Sequence, residues 1–299
     1  MKKYILTYFK GVAMGAADVI PGVSGGTIAF LTGIYAELLS SIKSLNWNSA
    51  KLLFSGKFKE FTNAVNLKFL VAVGGGILTS IFSLARLMQY LLVHHPIPLW
   101  SFFMGLIAAS AIYVLKDTGK LTITNLLSLI AGVSVAAWIC LVSPSQTTEA
   151  YWFIFISGAI AICAMILPGI SGSFILLLLG KYAFVMKAVT ELNIPVLLIF
   201  AAGAAIGIIS FSHFLTWLLK KYYKPTLFLL AGFMIGSLVK VWPWKRVIDE
   251  VSHIDRPILP SQFELQTGNS SQLSLALLFI AIGFSIVFII EFAAKSLKK

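Results

Sequence analysis

Charge is what this chain has least of. Only 11% of its 299 residues are Asp, Glu, Lys or Arg, against about 25% in an ordinary soluble domain, while 59% are hydrophobic. A water-soluble globule is thereby excluded. Acids are scarcer than bases, eleven against 23, giving a net charge of +12. The lysines lie in short segments between apolar runs rather than on one soluble face. They read as topology signals, and no nucleic acid is expected as a partner. Arginine is rare too, three residues beside twenty lysines. The two cysteines, Cys140 and Cys163, both fall in apolar stretches, which rules out a disulfide framework and leaves them as packing residues. The chain also lacks a nucleotide-binding loop, which leaves an ion gradient as the candidate energy source, and neither a cofactor nor a metal is expected.

What the chain has in abundance is apolar runs of bilayer length. They cover Leu67 to Val93, Pro98 to Leu115, Thr122 to Val142, Ile194 to Leu219, Pro225 to Val241 and Leu273 to Phe292, each near the ~20 residues needed to cross a membrane. The N-terminal MKKYILTYFKGVAMGAA resembles a signal peptide superficially. Lys10 interrupts its apolar run, however, and the following segment has an internal duplicate, so it is read as retained structure.

The duplicate defines the architecture. Gly11 to Ala36 aligned with Gly158 to Ala183 gives eleven identities in 26 positions, among them Pro21, Gly22, Ser24, Gly25, Gly33 and Tyr35 with partners 147 residues later. At an offset of 127, Gly76, Ser83, Pro98 and Gly105 match Gly203, Ser210, Pro225 and Gly232, and finally Leu126, Gly132 and Ser134 match Leu277, Gly283 and Ser285. The expected fold is an all-α polytopic membrane protein of two inverted-topology repeats, 1–145 and 146–299. Each repeat has one re-entrant helical hairpin, about 8–42 and 152–188, followed by three transmembrane helices. The offset changes place polar connectors at 46–66 and 242–272. The first has aromatic, leucine and lysine residues suited to a short amphipathic helix on the membrane surface, and reads equally as a solvated loop.

Orientation follows from the lysines. Lys2, Lys3 and Lys10 on one side of the first hairpin, and Lys43 to Lys68 on the other, put both its ends in the cytoplasm. Three spans then carry the chain outside by Glu149, and the second half starts from there, returning Lys220, Lys221, Lys224 and the C-terminal lysines to the cytoplasm. Both termini are expected on the cytoplasmic side of the membrane. An odd number of spans per half inverts the repeat, a recurring design of secondary transporters with a site near the midplane.

Each hairpin carries a Pro-Gly-x-Ser-Gly core inside an apolar stretch, ADVIPGVSGGT and MILPGISGSF. Proline removes a helix donor and glycine permits unusual dihedrals, and such a break is tolerable in hydrocarbon only where protein or a wet cavity surrounds it. Converging N–H groups there, with the hydroxyls of Ser24, Thr27, Ser171 and Ser173, suit a phosphate. The small residues also suit close helix packing. Arg86, within the first through-span, offers a bidentate fork for phosphate, or pairs with Asp18 or Glu37. Asp18 and Glu37 have no acidic repeat counterparts. With His213, they are candidates to bind a coupling proton or sodium ion, and either acid could instead cap a helix.

The two hairpin motifs, with ADVIPG before the first, resemble a bacterial membrane family of polyprenyl-phosphate transporters, and the resemblance spans essentially the whole chain. It implies a translocase returning undecaprenyl phosphate from the outer to the cytoplasmic leaflet, so that the carrier lipid is reused in cell-envelope synthesis. It implies a headgroup site of Asp18, Pro21, Gly22, Ser24, Gly25, Gly26 and Thr27 with Pro168, Gly169, Ser171, Gly172 and Ser173. Arg86 is the preferred phosphate partner. Two other classes fit the residues: a transporter of a small anion, and an intramembrane serine hydrolase pairing Ser24 or Ser171 with His213.

Overall fold

The computed structural model describes residues 2–19, 23–142, 147–249 and 254–296, with side chains throughout these segments except at positions 2, 85, 86, 89, 117, 247–249, 254 and 290–296. The first half contains α1 (Lys2–Asp18), α2 (Gly25–Leu31), α3 (Tyr35–Lys43), α4 (Trp47–Phe54), α5 (Phe58–Ala64), α6 (Leu67–His94), α7 (Pro96–Thr118) and α8 (Ile123–Leu141). The second contains α9 (Tyr151–Ile166), α10 (Gly172–Leu178), α11 (Tyr182–Thr190), α12 (Ile194–Lys221) and α13 (Tyr223–Ser237), then β1 (Lys245–Asp249), β2 (Ile254–Pro257), α14 (Pro260–Thr267) and α15 (Leu273–Ser296). The chain is helical and multi-pass: α6, α7, α8 and α12 are each long and apolar enough to cross a membrane. Phe82, Ile123, Trp138 and Leu198 are exposed on these helices, as side chains facing lipid should be.

The span expected from Pro225 to Val241 is shorter than its apolar run. Helix α13 ends at Ser237 after 15 residues, about 22 Å at 1.5 Å per residue. Tight closures end it, with Leu238 N–H donating to Ile235 O and Lys240 N–H to Ser237 O.

Each hairpin has the expected break before its Ser-Gly and a further bend beyond it. Helices α2 and α3 meet at 116°, and α10 and α11 at 110°. The bends fall at repeat-matched glycines, Gly33 with φ +71° and Gly180 with φ +63°. Only a residue without Cβ takes that conformation cheaply.

Two compact units divide the chain, and each draws on both sequence halves. Unit 1 comprises Met1–Ala85, Thr147–Leu167 and Ser171–Tyr223; unit 2 comprises Arg86–Gln146, Pro168–Ile170 and Lys224–Lys299. In unit 1, α1 lies against α6 and α9 against α12. A Cβ on Gly11 would strike Val73 and one on Gly76 would strike Tyr8, while their repeat partners Gly158 and Gly203 meet Phe200 and Phe155 in the same way. In unit 2 the pairing is exchanged between halves: Gly105 and Gly283 bring α7 onto α15, and Gly132 and Gly232 bring α8 onto α13. Small residues at crossings let backbones approach, the main source of helix association where lipid removes the hydrophobic drive.

The connectors are folded. The first is two short helices, α4 and α5, with an Asn46–Ser49 capping box starting α4. Trp47, Phe54 and Phe58 are exposed there beside Lys51, Lys57 and Lys59. The second forms a cap of the β1–β2 antiparallel pair and α14. Trp244 anchors it to Ile97 of α7 and Ala276 of α15.

Candidate functional site

Breaking a helix inside a membrane leaves its last carbonyls without donors, and each must find a partner. Helix α9 ends at Ile166 just before Pro168, and the first hairpin supplies the donors. Ser24 directs its hydroxyl at Met165 O (3.2 Å) and Leu167 O (3.0 Å), and the Tyr35 hydroxyl donates to Ile166 O at 3.2 Å. Gly26 lies so close to Ile166 O that any Cβ would collide with it. The first tip is thus stitched across the end of the second hairpin's leading arm within unit 1. Ser24 and Thr27 are fully buried there.

The N-terminus of α2 is served by its own chain. Asp18 accepts from Gly25 N–H at 2.7 Å, and Ser24 Oγ accepts from Gly26 N–H at 3.1 Å. A carboxylate held against the first amide of a helix is favourable through both the hydrogen bond and the helix dipole. Gly25 has no Cβ because Asp18 occupies that space. The amides expected to cradle a phosphate are therefore partly engaged by an internal anion.

The second tip is built differently. Met165 stands where Asp18 does in the repeat, and Ser171, at the N-cap of α10, pairs with Ser173, Oγ to Oγ 2.8 Å. One hydroxyl proton lies within that pair and the other remains to be donated elsewhere. Gly172 packs against Ala161 O. Gly169 adopts φ +87°, and a Cβ there would press on Phe233 O and Ser237 Oγ of α13, all within unit 2. Pro168, Gly169, Ser171 and Gly172 are buried.

The remaining expected residues fall elsewhere. Glu37 accepts from Lys3 Nζ at 3.1 Å and from Asn66 Nδ2 at 3.1 Å, with its side chain one-third exposed. His213 bonds through Nδ1 to Ile209 O, four residues back on α12, at 2.9 Å. Its partner is a backbone carbonyl rather than Ser24 or Ser171. Arg86 lies on α6 with its side chain outside the described residues, as are Pro21 and Gly22 altogether.

Three groups escaped the sequence reading. Tyr35 is one, although its identity with Tyr182 marked the position. Lys10 donates to Thr32 O at 2.6 Å just beyond the C-terminus of α2. Lys181, only 2% exposed, donates to Thr147 O at 2.8 Å and lies 5.8 Å from the ring centres of both Phe153 and Phe184. Thr147 in turn donates to Leu179 O at the end of α10. The signal for Lys10 was its interruption of an apolar run; Lys181 follows Gly180 with none.

These features define a polytopic helical membrane protein whose interior holds two broken hairpins with buried polar tips. Residues 14–255 match the family described as undecaprenyl phosphate translocase-like, and the chain belongs to that family. It is 47% identical over 296 residues to a polyprenyl-phosphate transporter of Vibrio cholerae serotype O1, covering 96% of both chains. It is 36% identical over 257 residues to a polyprenyl-phosphate transporter of Staphylococcus aureus, covering 80% of this chain and 86% of that one. No solved structure matches.

Proposed function

We propose that this protein carries undecaprenyl phosphate from the outer to the cytoplasmic leaflet of a bacterial plasma membrane, returning the lipid for cell-envelope synthesis. The observation that carries the reading is the burial of hydroxyl-rich, proline-broken tips inside a membrane protein, where polar groups are retained for a partner or a task. A phosphate must shed water to cross, whereas its polyprenyl tail can stay in lipid throughout. Only the head needs a polar site. The relatives' names support the same substrate.

In this proposal the two halves are inverted repeats working by alternating access, with both termini cytoplasmic. The headgroup is received chiefly by the second tip, where Ser171 and Ser173 offer hydroxyls and Met165 brings no competing charge. Arg86 supplies the fork for the phosphate oxygens. The first tip is the coupling side. Of the three titratable candidates, Glu37 is occupied by Lys3 and Asn66 and His213 by its own helix, while Asp18 stands at the tip on Gly25 N–H. Protonating Asp18 weakens it as an acceptor and loosens its hold on that amide. No catalytic step is assigned to Ser24 or Ser171.

The test is reconstitution in liposomes, following undecaprenyl phosphate between leaflets beside uptake of inorganic phosphate. Protein-dependent lipid movement without phosphate uptake supports the proposal. Phosphate uptake without lipid movement makes the protein a small-anion transporter.

A further inference from the structure

Away from the hairpins, the connector between α3 and α6 is built inside out. It leaves and rejoins the body of unit 1 at one place. Asn66, immediately before the apolar helix α6, donates through Nδ2 to Ser41 Oγ at 3.2 Å and to Glu37 Oε1 at 3.1 Å, both on α3. Helix α4 has eight residues, about 12 Å of length and too short to cross a membrane. Trp47, Lys51 and Phe54 succeed one another by about one helical turn and so share one face of it. Trp47 is 70% exposed and Phe54 81%. Ser49, on the opposite side, is the one buried residue of α4. Helix α5 buries none of its residues, and Phe58 at its start is 64% exposed.

A surface helix surrounded by water turns its aromatics to the protein and its serine to the solvent, and α4 does the reverse. Neighbouring aromatic rings left open in this way mark an interaction surface. Two features say what covers it. The connector is anchored where a helix able to span the bilayer begins, the level at which headgroups meet acyl chains and tryptophan is favoured. Cations are also interleaved with the rings. Lys51 lies between Trp47 and Phe54, Lys57 and Lys59 flank Phe58, and all three are exposed. Lys57 pairs with Glu60 at 3.4 Å, both side chains more than half exposed, and a pair so open to solvent is too weak to withhold the ammonium from another anion. Rings for the acyl boundary beside ammonium groups for the headgroups are the complement of a negatively charged lipid leaflet.

We propose that α4 and α5 form a lipid-recognising surface selective for anionic phospholipids. It lies in the headgroup layer, with Trp47, Phe54 and Phe58 at the acyl boundary and Lys51, Lys57 and Lys59 on the negatively charged headgroups. Its partner is the bulk phospholipid of the surrounding leaflet, not a carried lipid, so the surface stands whatever the protein transports. In the orientation proposed above that leaflet is the cytoplasmic one.

The experiment reads Trp47 fluorescence in the full chain, reconstituted in vesicles of equal parts phosphatidylcholine and phosphatidylglycerol, with bromine on the chains of one lipid or the other as a contact quencher. The Trp47 signal is the difference between wild type and Trp47→Phe. Brominated phosphatidylglycerol should quench it about threefold more strongly than brominated phosphatidylcholine, because each lysine near a charged surface adds to the attraction. The excess should vanish in Lys51→Gln/Lys57→Gln/Lys59→Gln and in wild type at about 0.5 M salt, where the screening length falls to about 4 Å. The salt comparison keeps the test decisive should the triple variant fail to fold. Equal quenching by the two lipids at low salt overturns the proposal, as does an excess that survives both salt and the lysine substitutions. Quenching by neither lipid overturns it too, and a dimer mass in that case assigns the face to a second copy of the chain. None of these readings needs lipid to move between leaflets, so this surface and the transport reading fail separately.

Discussion

Asp18 occupies the first amide of α2, and two substitutions separate this structural bond from the coupling role proposed for the acid. Asp18→Ala leaves Gly25 N–H buried without an acceptor, which costs about 1–3 kcal/mol and should lower the thermal midpoint in detergent. Asp18→Asn keeps a carbonyl oxygen for that amide, so stability should largely return while any dependence of lipid movement on a proton gradient is lost. Gradient-dependent transport in Asp18→Asn would remove the acid from the coupling step. Arg86→Ala should abolish transport with an unchanged thermal midpoint, since its assigned partner is the substrate; normal transport would show that assignment to be wrong. Asp18 was legible as an acid lodged in an apolar stretch without a repeat partner. Its bond to Gly25 was not, because an acid in an apolar stretch says that a partner is needed and not which amide, here one seven residues on, supplies it.

At the scale of elements, the hairpins and the cap make opposite demands on sequence reading. Pro168 and the Ser-Gly pairs announced the first break of each hairpin, because proline and glycine act locally. The second bend was harder to read: Gly33 and Gly180 were visible as matched residues, but a glycine near a helix end serves packing as readily as a left-handed turn. Replacing either with alanine should cost roughly 1 kcal/mol, the order expected for a side chain forced to positive φ, measurable as a drop in thermal midpoint. The cap's strands, KRVID and IDRP, have no clean alternation of apolar and polar residues, so nothing in them marked a sheet.

The cap also makes a pH prediction. Burial raises the Asp255 carboxyl, but the ammonium groups of Lys245 and Lys240 outweigh it and hold the group below its ordinary value. Its contribution to stability is present above the ordinary carboxylate range and is lost as pH falls through it. Burial pushes Lys245 the other way, down to about 8 despite the pull of Asp255. That lysine therefore opposes folding below pH ~8, and the penalty fades as pH rises towards its ordinary value. Hydrogen exchange in 242–272, corrected for intrinsic rates, should show greatest protection on the mildly alkaline side and least in acid. Greater protection at pH 4 than at pH 9 would contradict the assignment of this ion cluster.

For the whole molecule, the matched glycines were readable because positions that bring backbones together tolerate no side chain and so stand out as identities. The exchange of partners in unit 2 was not readable, since a match between Gly105 and Gly232 says that two helices are alike, not which helices they touch. Each compact unit mixes the halves, and in unit 1 the first tip lies against the end of α9 from the second half. The account's central claim is that these tips handle the phosphate head of a lipid. It is tested most directly by the rate at which undecaprenyl phosphate changes leaflet in liposomes containing the wild type or the Ser171→Ala/Ser173→Ala variant. The account predicts fast protein-dependent movement in the wild type and a loss of about tenfold or more in the variant, the loss expected if removing the hydroxyls costs about 1.4 kcal/mol of headgroup stabilisation in the transition state. Equal rates in two folded, correctly inserted proteins would contradict it.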